Sequence, residues 1–111
     1  IENVIQANQL AAITTNPLAL NQVYNVAYGE NTNLNDLIST LKKLLSDFDS
    51  DIQHIPVSYG PERQGDVRDS LASIEKGKKL LGYSPEYSLT KGLDQAIKWY
   101  WDYFNKVSLK N

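Results

Sequence analysis

Apolar positions along the chain change period several times, and each change marks an element. Ile1, Val4, Ile5, Leu10, Ala11 and Ala12 recur without an intervening Gly or Pro and predict a helix with one apolar side over residues 1–15. Asn16-Pro17 ends it, because proline pushes the residue before it away from helical backbone. Val23-Tyr24-Asn25-Val26-Ala27 then reads as a short strand, broken by Gly29. The clearest element follows: Leu34, Leu37, Ile38, Leu41, Leu44, Leu45 and Phe48 fall at helical spacing. Asn33 stands where an N-cap belongs, with Asp36 three residues on. Ile55-Pro56-Val57-Ser58-Tyr59 predicts a second short strand, whose proline suits a sheet edge or a strand end. Ser73 can cap a short helix reaching Leu81, and Gly82 suits the position just past its end. After an extended connector, Tyr83–Tyr87, Ser88 can cap a last helix over 89–105 with Leu93, Ala96, Ile97, Tyr100, Trp101 and Phe104 on its apolar stripe.

This order gives an α/β chain, mostly helical, with two or three short strands. Two strands are too few for a self-contained doubly wound sheet and would extend a sheet supplied elsewhere. The 111 residues amount to one small domain or part of a larger one. The chain has no methionine and starts at Ile1 in what reads as the middle of a helix, so it is expected to be a piece of a longer polypeptide. A net charge of −2 with both signs interspersed argues against nucleic acid as the main partner. Without cysteine there is no disulfide, thiol nucleophile or Cys-based zinc site, as suits a cytoplasmic protein. No apolar run is long enough to span a membrane.

The chemistry-bearing residues concentrate in Pro61-Glu62-Arg63-Gln64-Gly65-Asp66-Val67-Arg68-Asp69-Ser70, between two helical patterns. The planar guanidinium of Arg63 donates paired hydrogen bonds to phosphate and keeps its charge. Gly65 and Asp66 suit a tight turn able to hold a sugar hydroxyl, with Gly65 supplying backbone freedom. The segment is a candidate diphosphate and ribose clamp; its bland alternative is a charged surface turn. Arg68 is expected to pair with Asp69 or Glu62. Tyr59 either lines a pocket near the clamp or packs in the core. His54, the single histidine, has no acid or nucleophile partner and reads as a solvent-facing or strand-end residue. Lys76, Lys78 and Lys79 read as a solvated helix face, and Trp99-Tyr100-Trp101 as helix packing.

Four segments together resemble the C-terminal part of extended short-chain dehydrogenase/reductase enzymes acting on nucleotide sugars. Ile1–Ala7 looks like the helix that follows the family's R-D-F-x-Y segment. Tyr24–Glu30 with Asn33–Leu37 is similar to its late strand, glycine turn and capped helix. Tyr59–Arg68 is similar to its R-x-G-D-V motif, and Leu80–Pro85 with Gly92-Leu93 and Trp99-Tyr100 to its closing segment. The order and spacing hold over nearly the whole chain. Within the family the wording is closest to UDP-N-acetylglucosamine 4-epimerases of bacterial surface-polysaccharide synthesis, including the Vi-polysaccharide type. Galactose 4-epimerases, nucleotide-sugar dehydratases and UDP-glucuronate decarboxylases share much of it.

The resemblance implies that residues 1–111 form the C-terminal nucleotide-sugar-binding lobe of a Rossmann-type enzyme. Arg63 would contact the substrate diphosphate and Asp66 a ribose hydroxyl, with Gly65 and Tyr59 completing the substrate-binding set. The family's Gly-rich NAD turn and Tyr-x-x-x-Lys pair are missing from this sequence, since no tyrosine has a lysine four residues later. The chain is therefore expected to hold no catalytic residue, to bind no NAD and to be inactive alone, NAD being the cofactor of a full-length parent. Its expected partners are a UDP-sugar and the absent Rossmann domain. An uncovered domain face would favour self-association. A binding module of the same ancestry, working without a Rossmann domain, is the competing reading.

Overall fold

The computed structural model describes residues 1–67 and 69–108. These contain four α-helices: α1 (Glu2–Ile13), α2 (Leu34–Ser46), α3 (Glu75–Leu81) and α4 (Leu89–Ser108), with 3-10 turns at Pro17–Ala19 and Ser50–His54. They fall into two units, one made of Ile1–Asn31 and Asp69–Leu89, the other of residues 32–67 and 90–108.

The first unit is built around Ala7, Ile74 and Tyr83, with Leu10 and Ala27 packed against them. Tyr83 is 2% exposed. Its hydroxyl donates to the Ala27 carbonyl at 2.7 Å, so the ring is buried with its one polar atom satisfied. Burial raises the Tyr83 phenol above its ordinary value. The helix before it ends on Gly82, whose φ of +71° is left-handed. The Gly82 N–H closes on the Lys78 carbonyl at 3.2 Å. α1 is tied to the connector by side-chain amides. Gln6 Nε2 donates to the Ser84 carbonyl and Gln6 Oε1 accepts from the Ser84 N–H, both at 2.9 Å. Asn3 Nδ2 donates to the Tyr87 carbonyl at 2.8 Å, while its Oδ1 accepts from the N–H groups of Glu86 and Tyr87.

In the second unit, Asn33 caps α2 as expected: its Oδ1 accepts from the Asp36 N–H at 2.8 Å, and its Nδ2 donates to Asp36 Oδ2 at 2.6 Å. Leu37, Ile38, Leu41, Leu44 and Leu45 of α2 are partly buried, Leu34 is exposed, and no residue of the helix is fully buried. Phe48, just beyond α2, stacks on Trp101 of α4 with ring centroids 5.0 Å apart.

Four expectations need correction. Neither Val23–Ala27 nor Ile55–Tyr59 forms a strand, and no strand occurs among the described residues. β-branched composition favours extended backbone, but a strand exists only when a neighbour answers its N–H and C=O groups. Val23 is 85% exposed, with no sheet face to pack on. Second, Ser73 does not cap α3, which starts at Glu75 with Ile74 at its boundary and no side-chain cap; Ile74 goes into the core instead. Third, α1 stops at Ile13, and Asn16 turns its side chain forward, accepting from the Leu18 N–H at 3.1 Å to cap a 3-10 turn. Fourth, His54 is solvent-facing, one of the two placements expected of it, but it ends a 3-10 turn and no strand follows it among the described residues.

Candidate functional site

The residues singled out for diphosphate and ribose recognition lie in the second unit. The Asp66 N–H donates to the Arg63 carbonyl at 3.2 Å, closing a turn over Gln64 and Gly65. Gly65 has φ +83°. A β-carbon there would meet nothing within 4 Å, so the glycine is required by backbone conformation and not by space. The turn sets Arg63 and Asp66 at its two ends, both exposed. A cation and a carboxylate at the ends of one glycine turn give a phosphate donor and a hydroxyl acceptor on a short, closed backbone.

Tyr59 lies four residues ahead of the turn and is 78% exposed, so its side chain is not core packing. Its hydroxyl donates to Asn35 Oδ1 at 3.0 Å, which ties the segment leading into the turn to the first turn of α2. Sequence reasoning missed Asn35, because a contact across 24 residues leaves no local periodic signal. The Lys42 ammonium donates to the Ile55 carbonyl and fastens the same segment to α2 about two turns further along the same face. Arg68 lies outside the described residues.

After the turn, the chain enters the first unit, where the Asn31 amide donates to the Asp69 carboxylate. An open concavity of about 330 Å³ lies there, lined by Tyr28, Gly29, Leu71, Ser73, Ile74, Glu75 and Lys78 among others. Gly29 has φ +90°, and a β-carbon on it would approach Ile74 Cδ1 to 3.0 Å. The Glu75 carboxylate pairs with Lys78 at 3.6 Å. No group of three or more His, Cys, Asp or Glu side chains among the described residues could hold a metal ion. No helix of the described residues is long and apolar enough to cross a membrane.

No protein-family model matches the chain. It is similar to a UDP-glucose 4-epimerase from Lacticaseibacillus casei, at 39% identity over 49 residues, 43% of this chain and 15% of that protein. It is similar to a UDP-glucuronate 4-epimerase from Thermodesulfobacterium geofontis, at 29% identity over 79 residues, 70% of this chain and 23% of that protein. A UDP-glucose 4-epimerase from Halalkalibacterium halodurans aligns at 26% identity over 89 residues, 79% of this chain and 25% of that protein. The matched stretches thus span a quarter or less of each relative's length. Partial as they are, these similarities support a relationship to nucleotide-sugar 4-epimerases and, through them, to the short-chain dehydrogenase/reductase enzymes.

Proposed function

We propose that this chain is the nucleotide-sugar-binding part of an NAD-dependent, cytoplasmic UDP-sugar 4-epimerase, and that its Arg63–Asp66 turn grips the nucleotide. The observation that carries the reading is the closed glycine turn with Arg63 and Asp66 at its ends, in a chain whose matched relatives are UDP-sugar 4-epimerases. Arg63 donates to the diphosphate, Asp66 accepts from a ribose hydroxyl, Gly65 keeps the turn in its left-handed conformation, and Tyr59 borders the site. The wording of the motifs favours the N-acetylglucosamine/N-acetylgalactosamine pair and surface-polysaccharide synthesis. The incompletely buried apolar face of α2 supports a lobe that completes its packing against a further domain.

NAD, when bound, supplies hydride removal and return at the sugar carbon that inverts. The residues here do not fit it. The positive-φ glycines Gly29, Gly65 and Gly82 stand far apart in the sequence, and none joins a strand to a helix N-terminus as a dinucleotide turn requires. The cofactor site and the catalytic base belong, on this reading, to another part of the polypeptide, and the chain alone turns nothing over. The test is calorimetric titration of the full-length polypeptide with UDP-N-acetylglucosamine and UDP-glucose, beside UDP alone. Binding of all three, tightest for the N-acetyl sugar, is expected. Failure of UDP to bind would sink the clamp assignment, and preference for UDP-glucose would sink the N-acetyl choice alone.

A further inference from the structure

The segment leading into the Arg63–Asp66 turn is tied along one face of α2 by three side-chain hydrogen bonds. Gln53 Nε2 donates to Ser46 Oγ at 3.2 Å, the Lys42 ammonium donates to the Ile55 carbonyl, and the Tyr59 hydroxyl donates to Asn35 Oδ1 at 3.0 Å. Their order is antiparallel. As the segment advances from Gln53 to Ile55 to Tyr59, its partners step back along the helix from Ser46 to Lys42 to Asn35. Asn35, Lys42 and Ser46 share a face, because spacings of seven and four residues are close to two turns and one. The lengths agree as well. Asn35 and Lys42 stand about 10 Å apart along the helix axis. An extended run from Ile55 to Tyr59 covers about 13 Å, so it reaches from one bond to the other with little slack. Burial contributes little to this arrangement, since Ile55 is 54% exposed, Val57 39% and Tyr59 78%. No strand pairs with the run among the described residues. Side chains of α2 thus do for this segment what a sheet neighbour would do for a strand.

We infer that Asn35 is a positioning residue for the nucleotide: through the Tyr59 hydroxyl it fixes the approach to the Arg63–Asp66 turn, so that both ends of the turn meet a nucleoside diphosphate already placed. The inference rests on the nucleotide-sugar reading above and adds to it a residue on another element, acting through Tyr59. Two observations carry it. Of the three bonds, Tyr59–Asn35 is the nearest to the turn, with Arg63 four residues beyond Tyr59. The anchor is itself held, because Asn35 sits in the first turn of α2, which Asn33 closes through the Asp36 N–H at 2.8 Å and the Asp36 carboxylate at 2.6 Å. A tether this short, fixed at one end, restricts where Arg63 and Asp66 can go. Ordering done before the ligand arrives is not charged against its affinity. Without the bond, Tyr59 is a largely exposed side chain and the approach to the turn loses its nearest of these three supports.

Calorimetric titration of full-length variants with UDP and with NAD, at physiological salt, tests it. Asn35→Ala should weaken UDP binding by roughly threefold to tenfold, the worth of one hydrogen bond. Its NAD affinity and far-UV circular dichroism should match the wild type, because the side chain is exposed and alanine suits a helix. Asn35→Asp keeps an acceptor of the same shape for the Tyr59 hydroxyl, and salt screens its added charge, so it should restore most of the affinity. Tyr59→Phe removes the donor and should weaken UDP as Asn35→Ala does. The double variant should be no weaker than either single one, since the two side chains act through one bond. Arg63→Ala separates the two readings. If it weakens UDP while Asn35→Ala does not, the positioning role is overturned and the clamp stands. The same holds if Asn35→Ala and Tyr59→Phe weaken binding additively, or if Asn35→Asp is as weak as Asn35→Ala. If Arg63→Ala leaves UDP binding unchanged, the clamp and the positioning role fall together.

Discussion

Gln6 and Ser84, 78 residues apart, meet as a peptide-to-amide pair: the side-chain amide of Gln6 answers both the N–H and the C=O of Ser84 at 2.9 Å. A primary amide presents a donor and an acceptor side by side, as a neighbouring strand's peptide would, so Gln6 satisfies connector backbone that no strand pairs. Gln6→Ala should lower the unfolding free energy by about 1–2 kcal/mol, two net hydrogen bonds. Gln6→Glu should be worse near neutral pH, where a carboxylate faces the Ser84 carbonyl. It should recover in acid as the carboxyl regains a proton to donate. Urea unfolding at two pH values checks this; equal losses at both would refute the pairing.

Two glycines should respond to alanine with opposite signs. At Gly29 the added β-carbon meets Ile74 Cδ1 at 3.0 Å and the backbone sits at φ +90°, so Gly29→Ala should cost about 1–3 kcal/mol. At Gly77, inside α3, the nearest atoms are Tyr83 Cβ at 3.6 Å and Cδ1 at 3.7 Å, ordinary contact distances. Gly77→Ala should therefore gain about 0.5–1 kcal/mol from helix propensity. Melting temperatures moving in the same direction for both variants would contradict the geometry.

Burial holds the Tyr83 phenol above its ordinary value of 10.0. The folded state then keeps a proton that the unfolded state releases. Its contribution to stability is complete below pH 10 and is lost as pH rises through the higher folded value. Tyr83→Phe should lower stability at neutral pH, because the Ala27 carbonyl loses its donor. It should also flatten the alkaline decline relative to wild type. Parallel stability–pH curves for the two proteins between neutrality and strong alkali would count against this account.

In the full-length polypeptide, Arg63→Ala should weaken UDP-sugar binding by roughly ten- to hundredfold with little change in NAD affinity. Arg63→Lys should rescue only part, since lysine keeps the charge but loses the paired donors. Asp66→Asn should cost less, because its amide oxygen still accepts from a ribose hydroxyl. Calorimetry in which Arg68→Ala outweighs Arg63→Ala would move the clamp five residues downstream in the sequence.

What the sequence disclosed was governed by distance along the chain. Asn33 with Asp36, the apolar spacing of α2 and the left-handed Gly82 are local signals, and each stands where it was expected. The turn from Arg63 to Asp66 was legible for the same reason. Both expected strands failed because extended propensity is local but pairing is not. The Tyr59–Asn35 and Gln6–Ser84 contacts left no trace, since an isolated polar side chain carries no sign of its partner's position. Ser73 offered a plausible cap, yet the burial of Ile74 decided where α3 begins.

The two segments that read as strands but lack a ladder differ in their backbone donors. Ile55–Tyr59 contains Pro56, which has no N–H and so withholds a donor in the middle of that edge. Val23–Ala27 has no such gap: every residue in it retains its amide proton, and Val23 stands out in solvent. Backbone recognition is blind to side-chain identity, so the amides of Val23–Val26 offer an extended peptide more donors than Ile55–Tyr59 does, while Ala27 at the end of the run is packed on the core with its carbonyl taken by Tyr83. The risk of misassembly is therefore lopsided, with one segment carrying a built-in stop and the other depending on whatever comes to lie beside it.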